Sequence, residues 1–171
     1  MEIPKNSLTE EFNEVVRLCE EAKEYSNAAS WFAPPATEEE ITGWEKENGI
    51  KIPESYKDWL RLTGSSLIKR SLAKFYGVQE IEVDSKYYPE DYVIIGELIG
   101  DGERLCFSKS SGKIIRYNHG DIRTFNDFKT ILQDIIRMCK DESGLSEEVE
   151  DSLLALLEKQ AREEQINKGN D

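Results

Sequence analysis

The stretch TEEEITGWEKENGIKIPESYKDWLRLTG, residues 37–64, reads as two short helices joined at a Gly-Ile-Lys-Ile-Pro corner. Thr37 and Glu40 have the spacing of a capping box, in which a hydroxyl takes an orphan amide and a carboxylate three residues on reaches back. Glu38 and Glu39 place negative charge at the positive end of the helix dipole. Ile41 and Trp44 fall on one helical face. Gly49 stands where a helix commonly ends in a left-handed residue, a conformation glycine adopts without steric cost. Pro53 follows at a position suited to the first turn of a second helix, where a missing N–H costs nothing. Ile52, Tyr56, Trp59 and Leu60 supply that helix's apolar side. Gly49, Pro53, Tyr56, Trp59 and Leu60 therefore have backbone or packing duties, and none of them is suited to covalent chemistry.

Upstream, Ser7 and Glu10 have capping-box spacing for an N-terminal helix. Leu8, Phe12, Val15, Val16, Cys19 and Ala22 follow a helical apolar rhythm, with Glu11 and its neighbouring acids toward solvent. Residues 25–36, including Trp31, Pro34 and Pro35, read as an irregular, stiff connection. Downstream, β-prone pieces occur at Leu67-Ile68 and within 72–83. Clearer strands follow at Tyr92–Ile95, Arg104–Phe107, Lys113–Tyr117 and Ile122–Thr124. Short turns such as Asn118-His119-Gly120-Asp121 separate them, so the sheet is expected to be largely antiparallel. Asn126 is a candidate cap for a helix whose stripe is Phe128, Ile131, Leu132, Ile135, Ile136 and Cys139. A break at 141–144 precedes a last helix with Val149, Leu153, Leu154, Leu156 and Leu157, which either completes the core or meets a partner helix. The fold class expected is α+β, a curved sheet with N-terminal and C-terminal helices packed around it. Residues 1–144 are expected to form one domain, and 145–171 a helical extension with a frayed tail.

The chain carries 35 acids against 22 bases, a net charge of −13. Residues 1–50 hold twelve acids and four bases. Such a field disfavours nucleic acid and anionic membranes as partners, and it attracts a basic protein. No apolar run is long enough for a membrane span, and the first residues lack the pattern of a secretory signal. The three cysteines, Cys19, Cys106 and Cys139, are far apart and no Cys-x-x-Cys occurs. No disulfide framework or zinc site is therefore indicated, and a cytoplasmic location is expected.

Catalytic signatures are missing from the sequence. His119 is the single histidine and sits in a polar turn. A Ser–His–Asp or Cys–His site would have to use it, and no nucleophile elbow is present. Gly96, Gly100 and Gly102 match neither a Rossmann nor a P-loop fingerprint and read as hairpin turns. Lys69, Arg70 and Lys74 lie near Phe75 and Tyr76, but the basic surround of a nucleic-acid platform is lacking. No enzyme activity and no cofactor are expected. Many acids with exposed-looking aromatics suit a protein-binding module. The candidate partner-binding residues are Glu38, Glu39, Glu45, Glu90, Asp91, Glu97, Asp101 and Glu103, with Tyr87, Tyr88 and Tyr92 as aromatic anchors.

Taken in order, these residues resemble the SUKH superfamily, which includes fungal cell-wall-assembly regulators and many bacterial immunity proteins. Ile41, Glu45, Gly49, Ile52, Pro53, Tyr56, Trp59, Leu60 and Gly64 occupy the places of its helix–Gly–Leu-Pro-x-x-Tyr-x-x-Phe-Leu–Asn-Gly pattern. Gly100–Phe107 resembles its central hairpin, Ser111–Ile114 its next turn, and Thr124–Phe128 the approach to its closing helix. The resemblance covers about residues 30–138. Ile52 and Trp59 replace the usual Leu and Phe, and Thr63-Gly64-Ser65 replaces Asn-Gly-Gly. The resemblance implies a non-enzymatic protein that binds and neutralises a cognate toxin, commonly a nuclease, in the bacterial cytoplasm. It also leaves open a regulatory or scaffold module that binds a cellular protein or a small ligand.

Overall fold

The computed structural model describes residues 5–22, 29–69, 72–98, 102–141 and 155–160. In it α2 (Glu38–Asn48) begins with the capping box expected of Thr37 and Glu40. Glu40 N–H donates to the Thr37 hydroxyl at 3.2 Å, and Thr37 N–H donates to the Glu40 carboxylate at 2.7 Å. Gly49 closes the helix in the left-handed region at φ 65°. Pro53 stands one residue ahead of α3 (Glu54–Leu62), at φ −54°. The side of α2 that turns inward carries Ile41 and Glu45, while Trp44 is half-buried.

The helix α1 (Thr9–Glu21) buries Phe12, Val15, Leu18 and Cys19, Leu8 just ahead of it is buried too, and Glu11 goes in with them. Glu11 was expected in solvent; Lys129 Nζ meets its carboxylate at 3.3 Å and makes the burial tolerable. The capping box expected at Ser7 does not form, because the Ser7 hydroxyl donates to Asp58 instead. Asn6 organises the turn: its side-chain oxygen accepts from Leu8 N–H at 3.0 Å.

Seven strands pair in strict chain order as an open, wholly antiparallel sheet: β1 (Trp31–Phe32), β2 (Ser66–Ile68), β3 (Ala73–Phe75), β4 (Tyr92–Leu98), β5 (Glu103–Ser108), β6 (Ile114–Asn118) and β7 (Asp121–Phe125). With the flanking helices this is the expected α+β class. β1 lies inside the connection expected to be irregular. A 3-10 turn over Val78–Glu80 follows β3. β4 carries a register shift between Ile94 and Gly96. There β3 and β4 approach so closely that a Cβ on Gly96 would lie 2.5 Å from the Lys74 carbonyl oxygen, so only glycine fits.

One sheet face packs on the helices. Trp59 is fully buried against Phe12, Phe75 and Phe128, at centroid distances of 5.6, 5.3 and 5.6 Å. Tyr56 and Phe75 each meet Phe128 at 5.0 Å. Aromatic pairs in such edge-on geometry add to the area they bury. Phe128 opens α4, over 128–141. Its cap is Asp127, not Asn126: the Asp127 carboxylate accepts Thr130 N–H at 3.1 Å. Phe128 N–H donates to Ser55 Oγ at 2.9 Å, which ties α4 to α3.

The chain divides into two compact units, Met1–Ile136 and Arg137–Asp171. In the second, a short helix over 155–160 leaves Leu156 and Leu157 each 53% exposed. Val149, Leu153 and Leu154, and the boundary expected after 144, lie outside the described residues, as do Arg70, Gly100 and Asp101.

Candidate functional site

Strand register places one residue from each strand in a row across the outer face of the sheet. The row is Trp31, Leu67, Lys74, Glu97, Arg104, Tyr117 and Ile122. None of the seven is buried, whereas the next row, on the helix side, holds the buried Phe75, Gly96 and Leu105. Residues one position apart on a strand point to opposite faces, which accounts for the contrast. The row has apolar ends, with Trp31 44% and Ile122 46% exposed, and a charged middle.

That middle is tightly organised. Glu97 forms an ion pair with Arg104 across the β4–β5 ladder and accepts the Tyr76 hydroxyl at 2.8 Å. Arg104 Nε donates to the Tyr88 hydroxyl at 3.3 Å. Lys74 Nζ pairs with Glu80 at 3.1 Å and lies 5.2 Å from the centre of the Tyr76 ring. Tyr117 gathers Tyr88 and Tyr92 edge-on at 5.1 and 6.2 Å. Burial alone pushes the Glu97 carboxyl upward, but the hydrogen bond from Tyr76 and the Arg104 guanidinium outweigh it, so Glu97 is held below the usual glutamate range. Burial, with the Glu97 carboxylate second, pushes the Tyr76 phenol up. Glu97 is charged and Tyr76 is protonated near neutrality, and the face has a fixed pattern of donors and acceptors.

The candidates read from sequence separate into groups. Tyr88, Tyr92 and Glu97 belong to this face. Tyr87 is 75% exposed in the loop before β4, with Lys86 Nζ 5.0 Å from its ring. Glu90 is exposed in the same loop and has no ion-pair partner among the described residues. Asp91 is spent on the β5–β6 turn, accepting from the Ser108 and Ser110 hydroxyls and from Ser110 N–H. Those bonds, Ser108's foremost, hold its carboxyl below the usual range.

Two acids are not on the surface expected of them. Glu45 is buried: it accepts Ile52 N–H at 2.9 Å and meets Lys57 and Lys51 at 2.8 and 3.1 Å. Glu103 lies on the helix side of the sheet, in a two-point pair with Arg116 at 2.6 and 3.2 Å. Glu38 and Glu39 stand on the first turn of α2, where Glu38 binds Arg61 within a network that includes Glu54 and Asp58. Asp101 lies outside the described residues. Sequence reasoning missed Tyr76, Arg104 and Tyr117. The signal that could have found them is the pairing register itself, which aligns them only once the hairpins are counted out from their turns.

A separate concavity of about 350 Å³ lies where residues 33–36 and 64–65 face the 3-10 turn. Its lining includes Ala33, Pro34, Pro35 and Val78, together with Glu40 and Glu80. Among the described residues no group of His, Cys, Asp or Glu is placed to hold a metal ion, and no helix is long and apolar enough to cross a membrane.

The model of the SMI1 / KNR4 family (SUKH-1) matches residues 35–134. That span runs from the loop before α2 to the first half of α4 and contains β2 to β7. No curated protein matches the chain.

Proposed function

The chain belongs to the SMI1 / KNR4 family (SUKH-1), and on that premise we propose that it acts as an immunity protein, neutralising a basic protein toxin by binding it. The toxin class that best fits is a nuclease, whose substrate-binding surface is positively charged and would be drawn to a chain of net charge −13. The protein works by contact rather than by catalysis, within the cytoplasm. The observation that carries this reading is the outer row of the sheet. It combines aromatic and aliphatic ends with a pre-ordered Glu97–Arg104–Tyr88 centre, beside a loop that presents Tyr87 and Glu90 to solvent. Interface hot spots favour such rigid aromatic groups with ordered polar neighbours.

The test is coexpression with the toxin domain encoded beside the gene, followed by titration of the purified pair. Protection of the cell, a stable complex and weaker binding at high salt are expected. A neighbouring toxin that still kills and forms no complex would sink the proposal.

The concavity favours a second reading, a regulatory module that binds a small ligand in a mainly apolar pocket whose lining includes Glu40 and Glu80. Filling it with Val78→Trp separates the two: toxin binding should persist under the first reading, while binding of a small ligand should vanish under the second.

A further inference from the structure

The last strand ends the sheet with an unused hydrogen-bonding edge, and the geometry points to that edge as the place where an extended segment of the protein partner adds an eighth strand. The β6–β7 hairpin has a two-residue loop, His119-Gly120, with φ of 47° and 97°, and Asn118 pairs with Asp121 across it. In such a hairpin the residues flanking the loop exchange both hydrogen bonds. The pairs Asn118↔Asp121, Arg116↔Arg123 and Ile114↔Phe125 are therefore the bonded ones. Between them, Ile122 and Thr124 turn their N–H and C=O groups away from β6. These groups have no partner among the described residues, and residues 121–124 are exposed throughout.

Several features make this edge receptive. β7 contains no proline or bulge of the kind that blunts natural edges. The opposite edge, β1, is only two residues long. Ile122 is 46% exposed and sits directly across from Tyr117, so the edge continues the outer row. An added strand would extend the row with its own side chain beside Ile122.

The charges on β7 select among occupants. A second copy pairing antiparallel through Ile122 and Thr124 would put Arg123 against its own equivalent, and like charges directly opposite are destabilising. Arg123 is 4.0 Å from Asp121 and lines a small polar hollow of about 80 Å³ with Glu103, Arg116 and Asn118. A segment with an apolar residue beside Ile122 and an acidic one beside Arg123 fits both faces. Main-chain bonds would supply affinity and these two contacts the choice of sequence. The inference rests on the protein-binding reading, but not on the partner being a toxin.

The experiment pans short random display peptides on the intact protein and compares the recovered binders on Thr124→Pro. That substitution removes an N–H that points away from β6, so the β6–β7 ladder and the melting temperature should hold. Recovered peptides should bind Thr124→Pro about tenfold or more weakly, the cost of one lost hydrogen bond plus a clash. Bound peptide should also slow amide exchange at Ile122 and Thr124 in the unaltered protein, while Arg123 and Phe125 are already slow without it. Exchange on the unaltered protein decides the matter even if Thr124→Pro unfolds. Peptides that bind both proteins alike, exchange at Ile122 and Thr124 that does not change, or a library that yields no edge-dependent binder would each overturn the inference. Because no toxin is used, its failure is separate from a failure of protection in the coexpression test.

Discussion

The hydroxyl of Tyr56, on α3, lies 2.5 Å from the backbone carbonyl oxygen of Tyr76 and 3.0 Å from that of Ile95. Ile95 is the residue at the register shift in β4, and Tyr76 N–H donates to its carbonyl at 2.8 Å. A fully buried phenol thus secures the point where β3 and β4 draw closest. This gives a physical reason for a tyrosine in the middle of the α3 motif: the ring fills the core beside Phe128, and the hydroxyl supplies a donor to the buried Tyr76 carbonyl while adding to the bond that the Ile95 carbonyl already accepts from Tyr76 N–H.

Tyr56→Phe should therefore lower stability by about 1–2 kcal/mol, the cost of leaving the buried Tyr76 carbonyl short of a donor. Thermal melting measures it. Partner affinity should stay within about twofold of the unaltered protein, since the ring and the outer face are untouched.

Glu45→Gln should cost about 2 kcal/mol. The amide can still accept from Ile52 N–H, but Lys51 loses its counter-charge and Lys57 keeps only the more distant Glu54, at 3.6 Å. Burial raises this carboxyl, and the hydrogen bonds from Lys57, Lys51 and Ile52 more than reverse the effect, so its folded pKa lies below the ordinary 4.5. The stability it contributes is present above that ordinary value and is lost as pH falls through the depressed one. Urea titrations across the acid range should show a shallower decline for Glu45→Gln than for the unaltered protein.

The alkaline limb has the opposite sign. Burial foremost pushes the Cys106 thiol from 9.0 up to about 12. Burial likewise pushes the Tyr56 phenol well above 10.0. A raised folded pKa contributes stability that is complete below the unfolded value and fades as pH rises. Stability should start to fall near pH 9.0 and steepen beyond 10.0. Cys106→Ala should remove the first part of that slope and Tyr56→Phe part of the second, both read from denaturant midpoints against pH.

Tyr88→Ala should weaken partner binding about tenfold or more, and Tyr87→Ala should do so with melting unchanged. Tyr87 is exposed and its ring meets the neighbouring Lys86, whereas Tyr88 also receives Arg104 and packs on Tyr117. Calorimetric titration with the toxin domain checks both. Glu90→Lys should slow association most at low salt, because it reverses an unpaired surface charge.

The helical pair was legible in the sequence because its residues act locally. Thr37, Glu40 and Gly49 do their work within a few positions of themselves, and the expected geometry is present at each. Four of the strands were legible for the same reason, their turns being marked by residues suited to positive φ. Failures came where a distant group intervened. Ser7 has the spacing of a cap, but Asp58, brought in by α3, takes its hydroxyl. Glu45, Glu103 and Glu11 look like surface acids in a list, yet Lys57, Arg116 and Lys129 carry them inward. β1 escaped notice because two residues beside a proline pair show no alternation to count. The outer row was hidden for a geometric reason: it takes one residue from each of seven strands, so it has no contiguous signature.

The strictly sequential order of the sheet bears on how the chain reaches its native state. From β4 to β7 each strand pairs with the next across a short turn, so these hairpins can zip one after another at little loop-closure cost, whereas β1 must meet β2 across α2 and α3. The demanding encounter is the one between α3 and the start of α4, where Phe128 must find Tyr56, Trp59 and the Ser55 hydroxyl across some seventy intervening residues. Ser55→Ala and Phe128→Leu should then slow the final locking step in refolding kinetics, while early hairpin signals keep their pace.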